Sequence, residues 1–334
     1  MIPLEKKQSI LPVDVSRLIK EHYIALIQAF YESQSSFMSS IYKRYGNLDT
    51  ANIILCFAKK IHLEIIRQRE KDLNFNVSLN NLWKNINLIN IPSEKITSVV
   101  KITGIPKETV RRKIKNLKDR GYLFESKTDK GFYWNLPPKE KEAYFKIIKN
   151  DTKNLSRFVT KFTKFLNIRI KPEAVEDEIN SQFSFYWYHY LSCQLEWLKW
   201  WQLKLKDNDL VLIALQATIP TLKYYEKKEV NVVEDVFKII GKYKKSEKCE
   251  NCSISATSIS LITGIPRATC IRKLEKLVNL GFLVRLAKTK RYEVNQSTEP
   301  RTKNILNKEN VNFTITTFSE YISIILNSLI HNKL

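Results

Sequence analysis

The sequence reads ITGIPKETVRRKI at Ile102–Ile114 and ITGIPRATCIRKL at Ile262–Leu274. The second stretch follows the first by 160 residues, and the same spacing aligns their surroundings. Gly104 pairs with Gly264, Pro106 with Pro266, Thr109 with Thr269, Arg112 with Arg272 and Lys113 with Lys273. Leu117 then meets Leu277, Gly121 meets Gly281 and Leu123 meets Leu283. The chain has only 7 glycines, so two glycine pairs in one register mark backbone turns held in common. Farther out, Phe30 meets Tyr190, Asp49 meets Asp209, Ile53 meets Ile213, Leu55 meets Leu215, Phe158 meets Phe318 and Leu166 meets Leu326, all without a gap. Two copies at so long a period predict duplicated domains rather than a solenoid, with units over 1–172 and 173–334.

Each unit reads in the same order. Long amphipathic or apolar stretches come first, Val15 to Tyr45 and Ile179 to Lys206, followed by helical patterns that run from Asp49 to about Arg69 and from Asp209 to Lys227. A short helix over 94–101, echoed at 255–261, stops at Thr-Gly, where glycine permits a positive φ. Proline then opens a second helix, where its missing N–H costs nothing. Val110, Ile114 and Leu117 recur at helical spacing and predict one buried stripe, matched by Cys270, Leu274 and Leu277. After Gly121 and Gly281, short β-type runs flank the polar tips Ser126–Gly131 and Arg285–Arg291. Final helices are expected over 139–166 and about 308–330, after Pro137-Pro138 and Pro300. The expected fold is mainly α with small β-hairpin wings: two helix-turn-helix segments (94–120 and 255–280), each followed by a wing (122–135 and 282–294) and flanked by long helices.

Charge narrows the function classes. Lys+Arg number 56 against 34 Asp+Glu, a net charge of +22 that favours a polyanionic partner. Residues 101–120 alone carry Lys101, Lys107, Arg111, Arg112, Lys113, Lys115, Lys118 and Arg120 against Glu108 and Asp119. That face suits a phosphate backbone better than an apolar protein partner. The start, MIPLEKKQSILPV, has no long apolar core after its lysines, and no run approaches the ~18 apolar residues of a membrane helix, so a cytoplasmic protein without a membrane is expected.

The stretches ITGIPKETVRRKIKNLKDRGYLFE and ITGIPRATCIRKLEKLVNLGFLVR resemble the winged helix-turn-helix of bacterial regulators of the MarR and IclR kind. Both keep Thr-Gly-Ile-Pro, a threonine at 109 or 269, and an arginine at 112 or 272, then glycine, an aromatic and leucine. The resemblance covers about 35–40 residues of each unit. It implies that the second helix enters the major groove of duplex DNA while the wing touches the backbone. The flanking long helices are similar to those that build MarR-like dimers, so one chain would act as a pseudo-dimer or homo-oligomer. Half-sites would then lie about 10 base pairs apart.

The expected DNA-contacting residues in unit one are Lys107, Thr109, Arg111, Arg112, Lys113, Asn116, Lys127 and Lys130. In unit two they are Arg267, Thr269, Arg272, Lys273, Lys276, Arg285, Lys288, Lys290 and Arg291. Guanidinium and ammonium groups reach phosphates and guanine edges, and threonine meets phosphate or a thymine methyl. Arg112 and Arg272 are the leading candidates. Unit one has the more basic helix and unit two the more basic wing, which suggests an imperfect repeat as target, with simple drift the competing explanation. The reading is a sequence-specific transcriptional regulator that binds double-stranded DNA. The alternatives are a plasmid- or phage-type replication initiator with two winged helices, or an interaction module without DNA.

Other features carry less. FSFYWYHYLSCQLEWLKWWQLKL, Phe183 to Leu205, would be where a small-molecule effector binds, but such spacing more often builds core between long helices. His189 reads as an interior or boundary histidine. The five cysteines, including the lone Cys249-Glu-Asn-Cys252, point to reduced thiols, with too few ligands nearby for zinc. Neither a metal nor a cofactor is expected. No P-loop, GxGxxG, GxSxG or HExxH motif is present, so no enzymatic activity is expected.

Overall fold

The computed structural model of the chain describes residues 9–227, 252–295 and 307–333. Among these the protein is mainly helical, with two small antiparallel two-stranded sheets. Most elements recur in pairs 160 residues apart. Helix α1 (Pro12–Glu21) and helix α8 (Pro172–Ser181) each open on proline. The helices α2 (Tyr23–Tyr45) and α9 (Phe183–Leu205) follow, then α3 (Leu48–Lys71) and α10 (Asn208–Lys227). Helix α4 (Leu82–Leu88) lies between α3 and the first helix pair, α5 (Ile96–Thr103) and α6 (Lys107–Asp119). The hairpin β1 (Leu123–Glu125) and β2 (Phe132–Trp134) leads to α7 (Pro138–Phe165). In the second half α11 (Ala256–Thr263) and α12 (Arg267–Asn279) precede β3 (Leu283–Arg285), β4 (Tyr292–Val294) and α13 (Lys308–Lys333). The long stretch expected over Val15 to Tyr45 is two helices, because the backbone leaves helical geometry at His22, as it does at Gln182.

The turn between α5 and α6 explains the quoted motif. The Thr103 hydroxyl donates to Val99 O at 2.8 Å and accepts from the Ile105 N–H at 3.2 Å. Thr263 repeats both bonds with Ile259 O and Ile265 N–H, at 2.7 and 3.1 Å. Gly104 and Gly264 hold φ of 70° and 79°, where a side chain would be strained. Val110, Ile114 and Leu117 on α6 and Cys270, Leu274 and Leu277 on α12 are each at most 1% exposed. Each such aliphatic side chain contributes roughly 1.5–3 kcal/mol by leaving water. The hairpins share a register, Leu123 with Trp134 and Leu283 with Val294. A third chain segment crosses each sheet by one bridge, Glu94 with Phe132 and Ile254 with Tyr292.

The chain forms two compact units, each drawn from both halves of the sequence. One comprises Ser40–Arg157 and Ile170–Asp209, and holds α5–α6 with their hairpin. In it α9 packs along α3 and against α5, burying Phe183, Tyr186, Trp187, Leu191, Trp197 and Leu198. A Cβ on Gly104 would lie 3.4 Å from the Leu203 side chain. The aromatic segment is therefore core between helices, and His189 is a half-buried boundary residue against Phe185 and Tyr188, with its pKa lowered by burial.

The other unit comprises Met1–Ser39, Phe158–Arg169 and Leu210–Leu334, and holds α11–α12 with their hairpin. Here α1 packs on α13, and Asn327 ties down Ile10 by accepting its N–H at 2.7 Å and donating to its carbonyl at 2.9 Å. The stretch Glu309–Ile330 of α13 has the length and mean hydropathy, 1.3, of a membrane helix, yet it is 61% buried within the protein. Cys56, Cys193 and Cys270 are buried free thiols. Cys252 is disulfide-bonded, against the expectation of reduced thiols throughout. Cys249 and Pro300 lie outside the described residues.

Candidate nucleic-acid interface

The buried stripe of α6 turns the opposite face to solvent. On it Lys107, Arg111, Arg112, Lys115 and Asn116 are exposed, and Thr109 is half-buried. The side chains of Lys107, Arg112, Lys115 and Asn116 make no hydrogen bond or ion pair among the described residues. Arg111 meets Glu108 at 3.3 Å, but both are well exposed, and such a pair is worth about 0–1 kcal/mol. At the helix end Lys118 pairs with Glu125 of β1 at 2.6 Å, and the Arg120 guanidinium lies 4.9 Å from the Tyr122 ring centre.

The hairpin tip presents Lys127 and Lys130, both exposed. Lys130 has φ 56°, in the left-handed region. The turn is braced by Asp129, which accepts from the Ser93 hydroxyl and from Gly131 N–H, the latter at 3.0 Å. The Ser93 hydrogen bond is the largest cause of a carboxyl pKa lowered to about 2. At the base of the hairpin, Arg44 pairs with Glu140 at 2.7 Å and lies 5.6–5.9 Å from the ring centres of Tyr45, Tyr122 and Tyr144.

The second helix pair repeats the plan with fewer cations. Arg267, Arg272 and Lys276 of α12 are exposed, and Thr269 is half-buried. Arg267 Nε donates to Thr257 Oγ1 at 3.1 Å. Lys288 and Lys290 are exposed on the hairpin, and Lys290 repeats the left-handed backbone with φ 53°. Arg285 pairs with Glu275 at 3.0 Å, and Glu275 also accepts the Tyr292 hydroxyl at 2.7 Å. That hydrogen bond and burial raise the Tyr292 pKa to about 12, burial being the larger cause.

Three expected contacts, Lys113, Lys273 and Arg291, are less exposed than the other cations. Lys113 is half-buried and donates to Asn47 Oδ1 at 2.6 Å and Thr50 Oγ1 at 3.2 Å. Its counterpart Lys273 is 9% exposed. Both flank the apolar stripe, where the neighbouring chain covers them. Arg291 is half-buried and holds Ser253 through Oγ at 2.9 Å and the carbonyl at 2.6 Å. Arg285 is exposed, and its surface pair with Glu275 is of the same weak kind as that of Arg111 with Glu108. Conversely Lys115, left out of the expected set, stands on the same exposed face as Arg111 and Arg112. Its spacing from them, one helical turn, was the available signal.

The arrangement offers fixed positive charge on two rigid helices and two hairpins. Comparison with protein-family models, curated proteins and solved structures gives no match.

Proposed function

We propose that the chain is a sequence-specific transcriptional regulator that binds double-stranded DNA through two winged helix-turn-helix segments in one polypeptide, without catalysing a reaction. The observation that carries this reading is the exposed cationic face of α6, opposite its buried stripe and recurring in part on α12. A helix about 10–12 Å across fits the major groove, which is about 12 Å wide. Arg112 and Arg272 would meet bases or phosphates there, with Lys107, Arg111, Lys115, Arg267 and Lys276 around them. Lys127, Lys130, Lys288 and Lys290 would meet the backbone beside the groove. The make-up of the two units supports a single-chain pseudo-dimer. Helices α8 and α9 complete the unit of the first helix pair, while α1 completes that of the second. Fusing two MarR-like subunits would give such an exchange.

The test is a titration of a mixed duplex pool at several salt concentrations, with the wild type and an Arg112→Ala/Arg272→Ala double variant. A steep log–log slope is expected, flattening in the variant by about 0.9 for each phosphate that is no longer neutralised. Weak binding indifferent to both salt and substitution would reject the reading and favour an interaction module that faces protein.

A further inference from the structure

The flank of α6 carries a half-buried cation beside the exposed face. Lys113 follows Arg112 by one residue, which is about 100° around the helix. Its ammonium reaches Asn47 and Thr50 at the start of α3. Asn47 caps that helix, because its Oδ1 also accepts the Thr50 N–H at 2.9 Å and the Thr50 hydroxyl at 2.8 Å. The start of α10 joins the same junction. Asp209 accepts the Leu48 N–H at 2.9 Å, and Asn208 donates to Asp49 at 3.1 Å. Burial lowers the Lys113 pKa and raises that of Asp49. Asp49 and Asp209 oppose the first shift, and Lys113 and Asn208 oppose the second. The cationic face of α6 is thus keyed, through one ammonium, to the start of α3, which is itself tied to the start of α10.

We propose that Lys113 is a positioning residue that sets the roll of α6 against α3, aiming Arg111, Arg112 and Lys115, and that it does not itself touch DNA. This inference rests on the DNA-binding reading. Base readout needs the reading groups held to within about 0.5 Å and 10–20°. An ammonium with few acceptors in reach holds a helix to one roll, where an apolar contact tolerates sliding. Phosphate attraction depends on charge more than on aim. Losing Lys113 should therefore cost discrimination between sequences rather than non-specific affinity.

The experiment compares wild type, Lys113→Met, Asn47→Ala and Arg112→Ala. Each is titrated with a duplex selected by the wild type and with a scrambled duplex, over a salt series, after urea unfolding has shown which variants fold. For Lys113→Met the preference for the selected duplex should fall by about tenfold, with the salt slope on scrambled duplex unchanged. Asn47→Ala removes the nearer of the two acceptors and keeps the cation, so it should lower the preference in the same sense, and the double variant should lose no more than Lys113→Met alone. Arg112→Ala should flatten the slope by about 0.9. A Lys113→Met slope that flattens in the same way would make Lys113 a phosphate contact and overturn the proposal. So would an unchanged preference in a folded Lys113→Met or Asn47→Ala protein. If Lys113→Met does not fold, Asn47→Ala decides alone. A wild type without salt-dependent affinity would instead remove the DNA-binding reading, and the positioning role with it.

Discussion

The two helix pairs differ where they face solvent and agree where they face the core. The turn residues Thr103 and Thr263 make the same two hydrogen bonds, and the stripes beneath them are buried alike. On the outer face Arg111 stands where the second pair has Ile271, Lys115 where it has Glu275, Lys118 where it has Val278 and Arg120 where it has Leu280. The hairpins differ in the opposite sense: Glu125 is matched by Arg285, Asp129 by Thr289 and Gly131 by Arg291. Packing constrains the shared positions, because a core at close-packed density feels a change of one methylene. Solvent imposes no such limit, so the exposed charge has moved from helix to hairpin while the scaffold has stayed. Even the scaffold has one exchange of chemistry. Glu94, in the segment that bridges to Phe132, is held by Lys60 and the Ser98 hydroxyl, where the second sheet has Ile254.

The largest test of the likeness is in the core. Leu117 and Leu277 are both 0% exposed, and each closes its stripe. Leu117→Ala and Leu277→Ala should each destabilise by about 2–5 kcal/mol, read from urea unfolding. Similar losses would bear out equivalent packing. A small loss in only one would show that its site collapses around the cavity and that the two cores are not equivalent.

A second test concerns a difference in the long closing helices. Asp151 of α7 is 5% exposed, and its Oδ1 has no hydrogen-bond partner among the described residues, while the same place in α13 is Val311. Burial raises the Asp151 pKa from 3.8 to about 8. The folded protein therefore holds a proton that the unfolded chain releases. Its stabilising effect is full below about pH 4 and is lost as pH rises through about 8, by up to about 1.4 kcal/mol per pH unit. Asp151→Asn should flatten the dependence of the urea midpoint on pH over that window and be the more stable protein at pH 8–9. An unchanged profile would show that the carboxyl is solvated and that the two helices do not differ in this respect.

How much of this was legible in the sequence depends on how local each cause is. Thr-Gly-Ile-Pro specifies the turn from within four residues, and the stripe of α6 follows from helical spacing alone. The break at His22 was not legible, because apolar residues continue on both sides of it. Periodicity showed that α9 has an apolar face but not that α3 and α5 would cover it. Lys113 and Lys273 show where sequence reasoning stops short, because both are less exposed than their spacing suggests. Each lies at the flank of the stripe, where the sequence cannot say whether water or protein comes next. For Lys113 the answer is Asn47, 66 positions earlier in the chain. Arg285 and Arg291 looked like open cations because Glu275 and Ser253 meet them only once the hairpin has folded back.

The smallest expected effect sharpens the comparison most directly, because it exchanges charges by which the exposed faces of α6 and α12 differ. Under the proposed DNA-binding reading, Lys115 adds to the field that α6 presents to phosphate. Glu275 subtracts from that of α12 and also occupies Arg285. Lys115→Glu should weaken binding to a mixed duplex pool by about tenfold and flatten the salt slope by about 0.9. Glu275→Lys should act in the opposite sense, strengthening binding and steepening the slope, since it adds one cation and releases Arg285 from its ion pair. The two changes lie on separate helices, so their effects should add in the double variant. If Glu275→Lys instead leaves both affinity and slope where they were, α12 does not face the duplex. The first helix pair would then carry the binding alone, and the charge on the second hairpin would have another use.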